Sequence, residues 1–338
     1  ILQQSPLLDQ PVLSAPAAAV IHTHEPSEPG ESSAARPLVG RDHEMADLVA
    51  CLDQVVRGQG RVVLLSGEPG IGKTRLVEEL TDVAATRGMQ VAWGRCHEGD
   101  AAPAYWPWIQ MIRSLLTQGD PGEVRRALAV GAEELAQIVP DVKEYAGREL
   151  EPLILLNPEA ARTRLYDAVI DFVLRLATGR PLVLVVDDLH WADSPSLQLI
   201  RLLAARLGTA SILLGCTYRD HEADLSEPVV ATLGVLARAP DLIRIKPAPL
   251  HEDEVARLVS HATGQEADPA VSEAIRSRTG GNPFFVSELV QLLRSNHRLD
   301  GSAMDAVRTE IPSGVRDVIR LRMARLPEAT VSLLRLGA

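Results

Sequence analysis

The sequence predicts an α/β fold: a doubly wound parallel sheet of five strands, followed by a small helical domain. Short apolar segments alternate with helical patterns from residue 38 to residue 247, as βαβ units require. The segment 182–186 is apolar at every position, which is typical of a parallel strand covered on both faces. Hydrophobic residues make up 46% of the chain but aromatic ones only 3%, which favours an aliphatic α/β or helical core over an aromatic-rich β-sandwich.

The individual elements follow from the apolar periodicity and the turn residues. Strands are predicted at 62–66, 89–94, 182–186, 212–217 and 242–245. Helices are predicted between them at 42–56, 73–86, 108–116, 123–138, 159–177, 194–207 and 228–238. After Pro247 the strand patterns cease, and four further helices are predicted at 252–263, 269–278, 283–294 and 315–326.

The 338 residues are enough for more than one domain. We expect the end of an upstream helical domain at 1–14, a linker rich in Pro, Ala, Ser and Glu at 15–37, the α/β domain at 38–248 and the helical domain at 249–309. A further domain is expected to begin at 310–338. The first residue is not methionine and the last residues have a helical pattern, so we interpret the chain as part of a longer protein.

Charge and cysteine content restrict the function. A net charge of −11 argues against this segment itself gripping DNA or RNA, because backbone binding needs clustered Lys and Arg. Three widely spaced cysteines indicate neither a disulfide framework nor a zinc site. Because no apolar run reaches transmembrane length, we expect a cytoplasmic protein that does not contact membranes.

A glycine-rich motif between the first predicted strand and the next helix indicates a phosphate-binding loop (P-loop). Residues 67–74 match the pattern G-x-x-x-x-G-K-[ST]. The glycines let several backbone N–H groups face one point, and the helix adds its positive end. Lys73 is expected to reach the β and γ phosphates of ATP, and Thr74 to offer its hydroxyl to Mg²⁺. The predicted phosphate-binding residues of the loop are Gly67, Pro69, Gly70, Ile71, Gly72, Lys73 and Thr74.

Two carboxylates follow the apolar strand at 182–186. Ligands bind at the carboxyl ends of parallel strands, so Asp187 is predicted to hold Mg²⁺. Asp188 is a candidate for polarising the attacking water. The alternative for Asp188 is a turn or capping role ahead of the next helix.

Arg219 comes two residues after the strand at 212–217. We expect this strand to lie between the phosphate-loop strand and the strand that carries Asp187, so that the guanidinium reaches a γ-phosphate. The alternative is a surface ion pair with the neighbouring Asp220.

Together these motifs resemble a known family, the signal-transduction ATPases with numerous domains (STAND). The resemblance covers residues 36–338 and rests on the order of five motifs. They are Leu38-Val39-Gly40-Arg41, the loop up to Arg75, Asp187-Asp188-Leu189-His190-Trp191-Ala192-Asp193, Thr217-Tyr218-Arg219-Asp220 and Gly281-Asn282-Pro283-Phe284-Phe285. Within STAND, the chain looks closest to the ATPase module of large actinobacterial regulators, which include LuxR-type ATP-binding regulators and Streptomyces antibiotic regulatory proteins.

The resemblance implies further roles. Val39, Gly40 and Arg41 would lie by the adenine, Arg75 would belong to the nucleotide site, and Arg219 would sense the γ-phosphate. Pro283 would touch the nucleotide. The segment from 310 onward looks like the start of a winged-helix domain, and residues 1–9 look like the last helix of a bacterial transcriptional activation domain.

These observations predict a regulatory switch that binds ATP or ADP with Mg²⁺ and hydrolyses ATP slowly, within a transcription activator of antibiotic or secondary-metabolite genes. Promoter DNA would bind to a domain outside this segment. RNA polymerase and an ATP-dependent oligomer are further expected partners. One alternative is an AAA+ motor, which the assembly state with ATP and the turnover rate would distinguish. Others are a module attached to a kinase or cyclase and a small-molecule or protein kinase. The last is a nucleotide-binding scaffold without hydrolysis, which a phosphate-release assay would distinguish.

Overall fold

Five strands form one sheet in the computed structural model, which describes residues 38–99, 102–151, 153, 157–221, 225–239, 242–295 and 316. All adjacent strands are parallel, and their spatial order is β2-β3-β4-β1-β5. The strands are β1 (Arg61–Ser66), β2 (Gln90–Arg95), β3 (Leu182–Asp187), β4 (Ile212–Tyr218) and β5 (Leu242–Ile245). The predicted position of β4 between β1 and β3 is confirmed, and it brings the carboxyl ends of these three strands together.

Among the described residues, one helix precedes β1, others lie between the strands as far as β5, and three further helices come after it. They are α1 (Asp42–Val56), α2 (Lys73–Thr86), α3 (Trp106–Gln118), α4 (Pro121–Ala127), α5 (Ala132–Leu135), α6 (Val142–Tyr145), α7 (Pro158–Gly179), α8 (Ser194–Arg206), α9 (Glu227–Leu236), α10 (Glu252–Thr263), α11 (Pro269–Thr279) and α12 (Pro283–Ser295).

Both faces of the three central strands β1, β3 and β4 are buried, which explains why these strands are apolar at nearly every position. Successive side chains of β3 alternate between two cores. Val183 and Val185 pack in a cluster with residues of α1 and α2. Leu182, Leu184 and Val186 pack in a second cluster with residues of α3, α7 and α8. Helices on both faces of a parallel sheet make this a doubly wound α/β fold, as predicted.

The predicted continuous helix at 123–138 is wrong. The chain forms α4 and α5 there, separated by residues 128–131. Gly131 has a left-handed φ of 85° and lies against α7, where a Cβ would come within 2.8 Å of the Ala168 Cβ. The apolar periodicity continues across this point because both short helices face the same core, so periodicity alone does not reveal the break.

The three helices after β5 have a core of their own. Val255 of α10, Ile275 of α11 and Val290 of α12 belong to a hydrophobic cluster separate from the two that cover the sheet. We call residues 249–295 the helical segment. Several predicted segments lie outside the described residues, apart from Arg316. They are the expected segments at 1–14, 15–37 and 310–338 and the remainder of the helical domain at 296–309. Across the part of the chain that is described, no helix is both long enough and apolar enough to span a bilayer.

Candidate functional site

The glycine-rich loop connects β1 to α2 at the carboxyl edge of the sheet. Gly72 occupies the N-cap position of α2 with a φ of 102°, a left-handed conformation that L side chains rarely adopt. Among the described residues, none except its chain neighbours comes within 4 Å of the point where a Cβ would stand. Glycine is therefore required there by the backbone conformation rather than by crowding.

Lys73 is folded back onto this loop. Its side chain is buried, and its Nζ donates hydrogen bonds to the carbonyl oxygens of Gly67 at 2.8 Å and Glu68 at 3.0 Å. Burial lowers the pKa of the ammonium, while the carboxylate of Asp188 acts in the opposite direction. These two hydrogen bonds hold the Lys73 ammonium in a fixed position on the loop.

Thr74 and Asp187 converge from α2 and β3. The Thr74 hydroxyl donates to Asp187 Oδ1 at 3.1 Å, which places a hydroxyl oxygen beside a carboxylate at the mouth of the loop. Hydroxyl and carboxylate oxygens are ligands that Mg²⁺ accepts, and the two lie close enough to share one ion. This donor set fits the predicted magnesium site.

Thr217 is a functional candidate that belongs to one of the sequence motifs but receives no role from them. It is fully buried in β4, and its hydroxyl donates to Asp187 Oδ1 at 2.6 Å. The same hydroxyl accepts the backbone N–H of Asp188 at 2.9 Å. Thr217 therefore orients both carboxylate residues. The signal for it in the sequence is a hydroxyl in a strand that is otherwise apolar up to that position.

Thr217→Val is expected to lower the free energy of unfolding by about 1–3 kcal/mol, because the buried hydrogen bond to Asp187 and the partly buried one from the Asp188 N–H are both lost. Valine keeps the shape of the side chain, so the loss reports the hydroxyl. Nucleotide affinity in the presence of Mg²⁺ should also fall, since Asp187 is no longer held. Urea unfolding and calorimetry measure the two effects.

The matched control is Thr232→Val. Thr232 is also fully buried, but its hydroxyl donates to the Pro228 carbonyl within α9. It should lose stability and keep nucleotide affinity. Equal nucleotide affinity in Thr217→Val and the wild type would show that Thr217 does not orient the site.

Asp188 has an unusual backbone. Its φ and ψ of 57° and 48° are left-handed, and the chain then enters a short 3-10 turn at Leu189–Trp191. Burial and the neighbouring Asp187 raise the pKa of the Asp188 carboxyl, and Arg219 and Lys73 oppose this shift. Non-glycine residues in this conformation are uncommon and concentrate at functional sites.

Arg219 stands at the end of β4 and faces the turn after β3. Its guanidinium carbon lies 5.9 Å from the centre of the Trp191 ring, a cation–π distance. It interacts electrostatically with both Lys73 and Asp188. Asp220, the alternative partner considered for Arg219, is engaged by Lys246 Nζ at 2.7 Å.

The remaining predicted residues lie around the loop rather than at its mouth. The Arg41 guanidinium is buried and donates to the backbone carbonyls of Ile71 and Ala248. A Cβ at Gly40 would clash with the carboxylate of Glu254, and Val39 is half-buried.

Arg75 and Pro283 complete the set of predicted residues. Arg75 pairs with Glu79 along α2 at 2.8 Å. Pro283 is the first residue of α12. The centre of the candidate site is therefore formed by Lys73, Thr74, Asp187, Asp188 and Arg219.

A separate cleft of about 620 Å³ adjoins the turn after Asp188. His190 and Trp191 line it from the turn, Cys96 and His97 from the end of β2, and Trp106 from α3. None of the residues that line it belongs to the phosphate loop. The cleft is therefore distinct from the candidate nucleotide site.

Two relatives share sequence with the chain. It is 26% identical over 326 residues to "Uncharacterized protein R02095" of Rhizobium meliloti, covering 86% of this chain and 31% of that protein. It is 26% identical over 176 residues to hybrid signal transduction histidine kinase G of Dictyostelium discoideum, covering 49% of this chain and 5% of that protein. The chain thus spans less than a third of either relative.

Solved structures show weaker likeness. Cdc6p of Pyrobaculum aerophilum matches with a TM-score of 0.47 and 15% identity, over 78% of this chain and 64% of that chain. A STAND protein with a tetratricopeptide repeat sensor from Pyrococcus horikoshii matches with a TM-score of 0.41 and 14% identity, over 87% of this chain and 33% of that chain.

The family comparison is stronger, because it covers more than half of the chain and includes both the loop and Asp187. Residues 37–214 match the family described as "AAA ATPase domain". A glycine-rich loop, an acidic strand end and a parallel sheet are the elements that such a nucleotide-binding module needs. The chain belongs to the AAA ATPase domain family.

Proposed function

We propose that this chain is an ATP-dependent switch that binds ATP or ADP with Mg²⁺ at the loop between β1 and α2. The observation that carries the proposal is the convergence of Lys73 and Thr74, at the start of α2, with Asp187 at the end of β3. A preplaced cation, a hydroxyl and a carboxylate at the mouth of a glycine-rich loop match the chemistry of a magnesium nucleotide.

Each residue at the centre has a distinct task. Lys73 contacts the β and γ phosphates, and Thr74 and Asp187 hold the metal ion. Mg²⁺, when bound, neutralises charge on the phosphate oxygens. Asp188 orients the attacking water, and its raised pKa suits a group that accepts a proton.

The residues around the loop complete the proposed nucleotide site. Val39, Gly40 and Arg41 lie on the adenine side, and Arg75 borders the loop. Pro283 approaches the nucleotide from the helical segment.

The proposed biological setting is a STAND-type regulator in the cytoplasm, specifically a transcription activator of antibiotic or secondary-metabolite genes. Slow hydrolysis would reset the switch. Promoter DNA would bind elsewhere in the full protein, consistent with the −11 charge of this segment, and RNA polymerase and an ATP-dependent oligomer are proposed partners.

A second candidate is a module of the same type attached to a signalling kinase. The Dictyostelium relative carries "histidine kinase" in its name and matches about half of this chain. The full-length protein decides between the two: sequence-specific promoter binding supports the activator, whereas autophosphorylation on histidine supports the kinase.

The primary test is calorimetry of ATP and ADP binding with and without Mg²⁺, combined with phosphate release. We expect Mg²⁺-dependent binding and slow turnover. Rapid turnover with ring assembly would favour a motor instead, and binding without phosphate release would favour a scaffold. Absence of binding to both nucleotides would overturn the proposal.

Asp188→Asn is expected to leave nucleotide bound and to slow hydrolysis about tenfold or more. The amide still accepts a hydrogen bond from water but no longer takes its proton. Asp167→Asn, a change at an exposed position of α7, is the matched control and should hydrolyse ATP at the wild-type rate. Wild-type turnover in Asp188→Asn would favour the turn interpretation of this residue.

A further inference from the structure

The backbone carbonyls of residues 67–71 in the phosphate loop all accept hydrogen bonds, and two different groups of donors supply them. Within the loop, Lys73 Nζ donates to the first two, Gly67 and Glu68, and the Ile71 N–H also donates to Glu68 O at 3.3 Å. Residues outside the loop donate to the next three. These contacts are Asn282 Nδ2 to Pro69 O at 3.1 Å, the Phe284 backbone N–H to Gly70 O at 3.2 Å, and Arg41 Nη2 to Ile71 O at 3.2 Å.

Three consecutive carbonyls held in this way fix the peptide planes of the loop. A peptide unit is planar, so a donor on the carbonyl of Pro69 also orients the N–H of Gly70. The same holds for the carbonyl of Ile71 and the N–H of Gly72. Phosphate loops bind anions through such N–H groups, so the outward carbonyls and the inward N–H groups are set together.

The donors come from the helical segment and from a residue tied to it. Asn282 and Phe284 lie at the start of α12. Arg41 Nη2 also donates to Ala248 O at 2.7 Å, at the junction between the sheet and the helical segment. Leu250 N–H donates to Gly281 O at 2.8 Å, which ties this junction to the start of α12. Arg41 and Asn282 are only 4% and 5% exposed, so water does not readily replace their hydrogen bonds.

The fit between α12 and the loop is close. A Cβ at Gly70 would come within 2.7 Å of the Phe284 Cβ and 2.9 Å of Asn282 Oδ1. The orientation of the Asn282 amide is fixed by its two partners. Its Oδ1 accepts the Phe284 N–H at 3.1 Å, and its Nδ2 faces a carbonyl that only accepts. Asn282 therefore caps a helix and holds the loop at the same time.

We propose that Arg41 and Asn282 are positioning residues that set the N–H groups of the phosphate loop through its outward carbonyls, so that nucleotide affinity depends on the docking of the helical segment. The inference rests on the proposed function, because it requires that the loop bind a nucleotide. The contacts act on the loop and not on the γ-phosphate, so they affect ATP and ADP equally. By linkage, either nucleotide in turn stabilises the docked segment.

The variant that separates the two functions of Asn282 is Asn282→Ser. Serine is a good helix cap, so the hydrogen bond to Phe284 has a substitute, but serine has no amide to reach Pro69 O. We expect the dissociation constants of ATP and ADP each to rise about three- to tenfold, the loss of one buried hydrogen bond, with their ratio unchanged. Calorimetry on the 338-residue chain measures both constants.

Asn157→Ser is the matched control. Asn157 caps α7 in the same way, with its Oδ1 accepting the Glu159 N–H at 2.9 Å and a proline following it, but these contacts lie within α7 rather than with the loop. It should bind both nucleotides like the wild type. Arg41→Lys is a second variant, which keeps the charge but removes the guanidinium whose Nη2 donates to the carbonyls of both Ile71 and Ala248. We expect the same equal loss for both nucleotides, with folding checked by thermal unfolding.

Hydrogen exchange gives a readout that does not depend on turnover. The Phe284 amide should exchange more slowly when the wild type binds ADP, and faster in Asn282→Ser without nucleotide. If the wild type binds nucleotide and Asn282→Ser binds it equally well, the inference is wrong and the proposed function stands. Loss of ATP affinity alone would also overturn the inference. If the wild type binds neither nucleotide, the proposed function fails and the inference fails with it.

Discussion

Lys73→Ala is expected to weaken the binding of both ATP and ADP by about a hundredfold. A hydrogen bond to a charged group contributes about 1.5–3 kcal/mol, which corresponds to a ten- to hundredfold change in affinity. We expect an effect at the upper end of this range for Lys73, because its Nζ also donates to the carbonyls of Gly67 and Glu68. Alanine removes the proposed phosphate contact and leaves the Gly67 carbonyl without its Lys73 donor, while the Glu68 carbonyl keeps the Ile71 N–H at 3.3 Å.

Calorimetry and phosphate release measure this effect, and thermal unfolding without nucleotide checks that the fold is kept. Lys143→Ala is the control, because Lys143 lies exposed on the short helix α6, away from the sheet edge. It should bind nucleotide like the wild type. If Lys73→Ala binds ATP with near wild-type affinity, the loop is not the nucleotide site, whatever the family of the chain.

The parallel sheet could be predicted because its signals are local. Each strand is a short apolar run, and in a buried parallel strand both faces need apolar side chains. The predicted strand at 182–186 differs from β3 by one residue. The helix predicted at 123–138 is wrong for a non-local reason: the break at Gly131 depends on close packing against Ala168 of α7, which the sequence around the glycine does not reveal.

The candidate site likewise has one part that the sequence identifies and another part that only the structure reveals. The loop and Asp187 lie in contiguous motifs, so the sequence alone identifies them. The partners that hold the loop come from far along the chain: Asn282 is 213 positions from Pro69, and Arg41 is 207 positions from Ala248. Residue types at such separations carry no spacing signal. The role by the adenine that the resemblance implies for Arg41 stays a prediction, and the structure adds its contacts with backbone carbonyls of the loop and the junction.

Arg219→Ala is expected to remove the preference for ATP over ADP and to spare ADP binding. A contact to the terminal phosphate exists only with ATP, so it contributes differential affinity, which is the quantity that shifts a two-state equilibrium. Arg219 follows β4, between the loop strand and the Asp187 strand, and it interacts with Lys73 and Asp188. A charge-assisted hydrogen bond of about 1.5–3 kcal/mol gives roughly a ten- to hundredfold preference.

The competing interpretation makes Arg219 a surface residue, where ion pairs contribute about 0–1 kcal/mol. Two arginine variants separate the interpretations when the ATP and ADP dissociation constants are measured side by side. Arg206→Ala removes an exposed guanidinium of α8 that pairs with Asp167 and Asp171, and it should leave the preference for ATP unchanged. Arg219→Ala should lower that preference about tenfold or more, because it removes a γ-phosphate contact while leaving the loop and its outward carbonyls intact. An unchanged preference in both variants would mean that the switch has its trigger elsewhere, and the Trp191 ring under Arg219 would then be a packing contact only.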